Sequence, residues 1–416
     1  MFKILEGMRV VEASAFVAAP LGGMTLSQLG ADVIRFDPIQ GGLDAHRWPV
    51  TDKNQSLYWP GLNKGKRSLA IDTRVPEGRE IIRNLITAPG EGNGLFLTNF
   101  PTSRGWMSYD NLKQAREDLI MVNLLGNPDG SSAVDYTVNC AAGFPYLTGD
   151  PDNEEHNPQP VNHVLPAWDA VAGINLAMAM LAADRHRHLT GEGQLVKIAL
   201  SDIAFAMTGN LGYIQEAQLN KEERHAQGNY LYGAYGCDFN TSDRRQVYIV
   251  VVTNRMWSEL GKATGLSETF RSIEQRLGLD FKREGDRFIA SDEISKPLVE
   301  WCGQRSLAEI DHCFSGTGVC WGPYQTFKQM VTEDPRVSTA NPMFSTLEQP
   351  GIGTYLVPGS PVDFGAFERQ APRRAPVLGE HTDEILSQEL NMSDREIGKL
   401  RDAGVVAGPV DLGAAV

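Results

Sequence analysis

The stretch Val164–Arg187, VLPAWDAVAGINLAMAMLAADRHR, sets one carboxylate, Asp169, at the mouth of an almost unbroken apolar run. Aspartate is among the best helix N-cap residues. The run behind it carries Ala, Leu, Met and Ile on nearly every side, as a buried helix does, so a cap is one sufficient account. The other is nucleophilic: a carboxylate can attack a carbonyl and carry a covalent intermediate, and a helix N-terminus favours its charge under burial. Pro166 and Trp168 make the preceding turn stiff and bulky, as the wall of a pocket is. On the residues alone both accounts stand.

A second candidate is the basic turn GLNKGKRS, Gly61–Ser68. A P-loop needs four residues between its glycines and Ser or Thr after the lysine; here three intervene and Arg67 follows Lys66. What is left is a cluster of Lys64, Lys66 and Arg67 that is either a solvated loop or an anion contact. The first βα turn, EASAFVAAPLGG, lacks the G-x-G-x-x-G that lets a pyrophosphate approach the backbone, which argues against a nicotinamide or flavin enzyme. TGEGQ (Thr190–Gln194) follows a helix and reads as its C-terminal turn. No G-x-S-x-G elbow and no H-E-x-x-H pair occurs. His312, Cys313 and Cys320 have the wrong spacing for zinc. His186 and His188, with Arg185 and Arg187, end the apolar helix, where cations complement its dipole.

These residues must be positioned by a chain of 416 residues, longer than one comfortable core, so two domains are expected. Its net charge of −14 argues against nucleic-acid and anionic-membrane partners. Five scattered cysteines without a CxxC pair suit free thiols in a reducing cytoplasm. The opening MFKILEGMRVVEASAF carries acids among its apolar residues and does not read as a secretory signal. The longest apolar run is too short and too rich in Ala and Gly to span a bilayer.

Alternating β and α patterns fill the N-terminal half: strands at Met8–Ala13, Ala31–Asp37, Ser68–Ile71, Leu95–Thr98, Leu119–Leu124 and Gln194–Leu200, with helices between. Helix Pro20–Leu29 has Pro at its start and Gly30 past its end. Such βαβ units imply a parallel sheet. From Lys221 the texture turns polar, aromatic and glycine-rich before a second unit with a strand at Val247–Thr253. Turn residues dominate Asn341–Phe364, and Ser393 with Glu396 forms a capping box in a helical end.

Five blocks taken together resemble the family III CoA-transferases: LEGMRVVEASAFVAAPLGGMTLSQLGADVIRFDP (Leu5–Pro38), LNKGKRSLAIDTRVPEGREII (Leu62–Ile82), LTNFP (Leu97–Pro101), DAVAGINLAMAMLAADRHRHLTGEGQLVKIALSD (Asp169–Asp202) and APVLGEHTDEIL (Ala375–Leu386). The resemblance implies an α/β fold in which a large Rossmann-like domain is built from both chain ends, with a small α/β domain on long linkers, and two subunits interlocked as a homodimer. On this chain that places the large domain at 1–220, a linker at 221–245, the small domain at 246–330, a second linker at 331–364, and the return to the large domain at 365–416.

The family's nucleophile falls on Asp169. Its CoA-binding positions fall on Ala15, Phe16, Lys66, Arg67, Asn99, Phe100, Arg104 and Asp135, so the basic turn becomes a CoA phosphate contact. No metal is implied, and no cofactor beyond the CoA that arrives with the substrate. Three blocks, ASAFVAAPLGGMTLSQLGADVIRFDP, VNHVLPAWD and GNYLYGAYG, are most similar to members that move CoA between the two carboxyls of mesaconate, which makes mesaconyl-CoA the expected substrate and the 3-hydroxypropionate carbon-fixation cycle the expected setting. An intermolecular CoA-transferase for small dicarboxylates is the alternative. Arg47 is then the expected partner of the free carboxylate, with Tyr230 and Tyr232 as substrate-facing aromatics. The chain departs from its relatives at Pro38, where formyl-CoA transferases have arginine. It departs again at Val134, where the racemases of the family have the histidine of a proton shuttle, and in the tyrosine-rich GNYLYGAYG where others carry a glycine run as a lid.

Overall fold

Short strands with buried, mainly apolar centres belong in a sheet covered on both faces, and Val10, Val11, Ile34, Leu69, Phe96, Leu97 and Met121 are all buried. They lie in β1 (Arg9–Ala13), β2 (Asp32–Asp37), β3 (Arg67–Ile71), β4 (Leu95–Thr98) and β5 (Ile120–Leu125), and the more exposed β6 (Gln194–Ala199) follows. All six pair in parallel, in the order β3-β2-β1-β4-β5-β6. A last short strand, Val406–Ala407, runs antiparallel on the edge of β3. The computed structural model describes residues 1–150, 159–221 and 223–410. Two compact units emerge: 1–142 with 164–219 and 335–416, and 143–163 with 220–334.

In the first unit the strand order reverses between β1 and β4. In an open parallel sheet the crevice at the carboxyl ends of two such strands is the place for a ligand. The turn after β1 carries Ala15 and Phe16, and the turn after β4 carries Asn99 and Phe100. The two turns are tied reciprocally: the Ala15 N–H donates to Asn99 Oδ1 at 3.0 Å, and Asn99 Nδ2 donates to the Ala15 carbonyl at 2.8 Å.

Helix Ala18–Gln28 continues from the β1 turn and packs on helix Ala167–Thr190. The close approach depends on two glycines. A Cβ on Gly22 would lie 3.1 Å from the Gly173 carbonyl, and one on Gly173 would lie 2.8 Å from the Ala18 carbonyl. The apolar run of the opening stretch is thereby locked against the crevice's own helix.

The C-terminal return fastens to the edge strand. The Ser68 N–H donates to His381 Nδ1 and the Ala70 N–H to Thr382 Oγ1, both at 3.2 Å. Within this return the expected linker 331–364 is corrected: Phe344–Gln349 and Gly353–Pro358 form an antiparallel hairpin. Turn residues marked the bends, but the short alternating runs between them pair with one another.

The second unit is an antiparallel meander of β7 (Tyr235–Asn240), β8 (Gln246–Val251) and β9 (Cys320–Pro323). Its core is built by Tyr235, Phe239, Ile249, Phe270, Phe281 and Leu298. The expected linker 221–245 therefore contains a core strand. Residues 143–163, read as part of the large domain, cluster with this unit. Within those expected spans, residues 151–158, 222 and 411–416 lie outside the described residues. Among the described residues no helix is long and apolar enough to cross a membrane.

Candidate active site

Helix Ala167–Thr190 begins two residues before Asp169, with Pro166 at the N-cap. Asp169 is thus not the cap that its sequence position suggested. It sits in the first turn, where its backbone N–H is one of those that lack an intrahelical acceptor. That N–H donates to Asp135 Oδ2 at 2.9 Å. Because Asp135 closes the helix start from outside, the Asp169 side chain is not needed for capping, and among the described residues its carboxylate enters no hydrogen bond.

Asp135 opens helix Asp135–Ala141 and is 2% exposed. One turn along the same face, Asn139 Oδ1 accepts the Trp168 indole N–H at 3.1 Å. Two residues of the first helical turn, Trp168 and Asp169, are therefore pinned by one short helix. Burial pushes the Asp169 carboxyl up to about 6, the nearby Asp135 charge adds to the rise, and the Arg47 guanidinium opposes it. At neutral pH the group remains mostly ionised, as a nucleophile must be, but poorly solvated.

Arg47 stands over two rings at once. Its Cζ lies 5.1 Å from the Phe16 centroid and 5.2 Å from that of Tyr58. The loop that carries it is anchored below by Arg35, which is fully buried and contacts both Asp44 oxygens at 2.9 and 3.1 Å and both Asp37 oxygens at 2.9 Å. Burial works against the Arg35 charge, but Asp37 and Asp44 outweigh it and hold the guanidinium protonated. On the far side of the loop, the Ser56 hydroxyl donates to the Arg47 carbonyl at 2.6 Å. An exposed arginine is in this way set on a fixed base.

Phe16 adopts φ +67°, a left-handed conformation that is strained for a bulky residue and tends to mark functional turns. Phe100 packs on the sheet core, and Arg104 is exposed. The crevice thus brings together Ala15, Phe16 and Asn99, while Arg47, Asp135 and Asp169 form a second, electrostatically linked group.

Lys66 and Arg67, expected at a CoA phosphate, are placed in ion pairs with carboxylates of the fold. The Lys66 ammonium is buried and makes three internal bonds, to Glu12 Oε1 at 2.8 Å, the Pro20 carbonyl at 2.9 Å and Asn63 Oδ1 at 3.0 Å. Burial lowers its pKa to about 8, against the pull of Glu12. The Arg67 guanidinium pairs with Asp32, Glu384 and Glu389. Both cations are thus taken by carboxylates of the fold. Tyr230 and Tyr232 belong to the second unit, where the Tyr230 hydroxyl donates to Asp292 Oδ1 at 3.1 Å and Tyr232 packs edge-on to Phe288.

Sequence reading passed over Tyr58 and Asn139. A signal for Asn139 was present, since Asp135 and Asn139 are four apart and so share one helix face. Tyr58 had none beyond an aromatic pair ahead of the basic turn. Among the described residues no cluster of His, Cys, Asp and Glu is placed to hold a metal ion.

Known proteins resemble this chain over nearly its full length. A 2-methylfumaryl-CoA isomerase from Chloroflexus aurantiacus is 59% identical over 407 residues, which covers 98% of both chains. A succinyl-CoA:glutarate CoA-transferase from Homo sapiens is 27% identical, over 97% of this chain and 90% of its own. The fold also matches the crystal structure of a CAIB/BAIF family protein from Brucella suis, with a TM-score of 0.72 at 24% identity, covering 93% of this chain and 100% of the other. The sequence profile of CoA-transferase family III matches residues 5–382, and the chain belongs to that family.

Proposed function

We propose that this enzyme converts mesaconyl-C1-CoA (2-methylfumaryl-CoA) into mesaconyl-C4-CoA by intramolecular CoA transfer, with Asp169 as the nucleophile. The observation that carries the residue assignment is the Asp169 carboxylate itself: half-buried, raised toward neutrality, and left out of the hydrogen bonding that fixes its backbone. The substrate assignment is supported by the 59% identity to the Chloroflexus isomerase.

An Asp169 oxygen attacks the thioester C1 carbonyl, forming a C–O bond, and collapse of the tetrahedral intermediate breaks C–S and expels CoA thiolate. The thiolate attacks the Asp169 Cγ of the resulting anhydride. A C–S bond forms, the anhydride C–O bond breaks, and mesaconate departs from the carbonyl with one aspartate oxygen. The C4 carboxylate then attacks the aspartyl-CoA thioester, and the same steps run in reverse onto C4. No net oxidation occurs and no proton is lost. Burial serves this chemistry twice: it leaves the attacking carboxylate under-solvated and keeps water from an anhydride that hydrolyses readily.

Ala15, Phe16, Asn99, Phe100 and Arg104, on or beside the two turns at the strand-order reversal, are the residues proposed to hold CoA, in keeping with the crevice rule for parallel sheets. Arg47 is assigned to the free carboxylate, where a guanidinium can bind both oxygens. An interlocked homodimer in the cytoplasm is part of the reading. It is supported by apolar side chains left exposed on the first unit, among them Ile174 and Met178 on one helix face and Phe205, Leu211, Ile214 and Leu219 beyond.

The decisive experiment incubates the enzyme with mesaconyl-C1-CoA and labelled free mesaconate. Product without label supports intramolecular transfer. Label in the thioester product overturns it in favour of an intermolecular CoA-transferase. Asp169→Ala is expected to abolish turnover while retaining CoA binding.

A further inference from the structure

A buried hydroxyl without a hydrogen-bond partner costs roughly 1–3 kcal/mol, so each one in a folded protein asks for a reason. The Tyr58 hydroxyl is such an atom: it is shielded from solvent and has no partner. Nothing in its position is loose. The Tyr58 N–H donates to Ser56 Oγ at 3.2 Å, the neighbouring Trp59 indole donates to the Pro376 carbonyl at 3.1 Å, and the Arg47 guanidinium lies over the Tyr58 ring. The ring is thus held by its backbone, its neighbour and a cation, while its polar tip is left unused.

The charged surroundings of that tip include the nucleophile itself and one cation that acts on both. Arg47, Asp44, Asp169 and Tyr136 all act electrostatically on Tyr58, and Arg47 acts on Asp169 as well. Burial, the largest cause, pushes the phenol up to about 12, so across the neutral range it is an O–H donor and never a competing anion. A rigid, protonated and unsatisfied donor within electrostatic reach of a carboxylate nucleophile is what acyl transfer needs and Asp169 does not supply. Negative charge develops on the carbonyl oxygen of the attacked carbon, and a preorganised donor stabilises it there.

Resting on the mesaconyl-CoA reading above, we propose that the Tyr58 hydroxyl is a donor to the oxyanion formed when Asp169 attacks the thioester carbonyl. As the Asp169 oxygen bonds to C1, the carbonyl π pair moves onto its oxygen. Tyr58 hydrogen-bonds that oxygen without giving up its proton. When C=O re-forms and the C–S pair leaves with CoA, the bond relaxes. By microscopic reversibility the same donor serves the final step, in which CoA thiolate attacks C4 of the anhydride.

The test is single-turnover acylation of the full-length enzyme by mesaconyl-C1-CoA, quenched in acid and read as the covalent adduct by intact mass, for wild type and Tyr58→Phe. The substitution keeps ring and volume and removes only the unsatisfied hydroxyl. Its thermal midpoint is therefore expected to equal or exceed that of wild type, and CoA affinity by calorimetry to stay within threefold. Acylation is expected to fall about 10²-fold, the usual loss for one oxyanion donor, with KM nearly unchanged. Acylation within threefold of wild type overturns the proposal. So does a loss of rate matched by a loss of thermal stability or CoA affinity, which is the signature of a structural role. If wild type itself forms no adduct, the parent reading fails instead.

Discussion

The Asp169 amide donates to Asp135 Oδ2 at 2.9 Å, so one carboxylate fixes the backbone that carries the other while its charge raises the other's pKa. Asp135→Asn separates these two effects. The amide oxygen still accepts the N–H, but the charge is gone, so the Asp169 carboxyl should titrate lower. The acid limb of kcat/KM, expected near pH 6 in wild type, should move to lower pH with the plateau rate largely kept. Asp135→Ala removes the acceptor too, and its plateau should fall. A pH–rate profile of both variants checks this, and an unmoved acid limb in Asp135→Asn would count against the coupling.

Burial of Asp169 has a price in stability. Burial lifts its carboxyl to about 6 when folded, from the ordinary aspartate value of 3.8, so the folded state favours the neutral acid. The penalty is absent below pH 4, grows as pH rises toward 6, and is complete above it, reaching at most about 3 kcal/mol. Asp169→Asn escapes it. The variant should therefore unfold at a higher temperature than wild type at pH 7.5, with the gain shrinking on acidification and vanishing near pH 4. Equal midpoints at pH 7.5 would show that the site is better solvated than its burial suggests.

Much of this was legible in the sequence, and the limits have physical causes. The strands of the parallel sheet were readable because burial on both faces leaves continuous apolar runs, and Leu95–Thr98 was located to the residue. The hairpin Phe344–Pro358 was missed because its strands alternate weakly and Pro350 and Gly351 dominate the texture. Asp169 stood out as a candidate, but its position suggested a cap, since sequence cannot reveal that Pro166 holds that place and that Asp135, 34 residues earlier, takes the Asp169 N–H. The burial of Lys66 was hidden for a similar reason. A lysine in a glycine turn reads as solvent-facing until Glu12, 54 residues away, is seen against it.

The burial of Lys66 yields its own test. Removing one partner of a buried ion pair typically costs about 3–5 kcal/mol, because the other charge is left uncompensated, and Glu12 already has one oxygen without a partner. Lys66→Met should therefore lower the thermal midpoint by several degrees and leave the KM for acyl-CoA within about twofold at temperatures where the protein is folded. A cation that held a CoA phosphate would do the reverse, raising KM about tenfold or more with little change in stability.

Arg47 makes the final case, because its two proposed effects have separate readouts. It opposes the rise in the Asp169 pKa, so Arg47→Gln should move the acid limb of kcat/KM to higher pH, opposite in sign to Asp135→Asn. It is also assigned to the free carboxylate while CoA resides on the aspartate. Losing a charge-assisted bond worth about 1.5–3 kcal/mol should lower kcat/KM by about 10- to 100-fold. The distinguishing result is leakage. Mesaconate that is no longer held should escape before the C4 carboxylate attacks, so free acid should accumulate and labelled mesaconate from solution should enter the product of the variant, though not of wild type. An acid limb that shifts without leakage would leave Arg47 as an electrostatic neighbour of Asp169 and remove it from substrate binding.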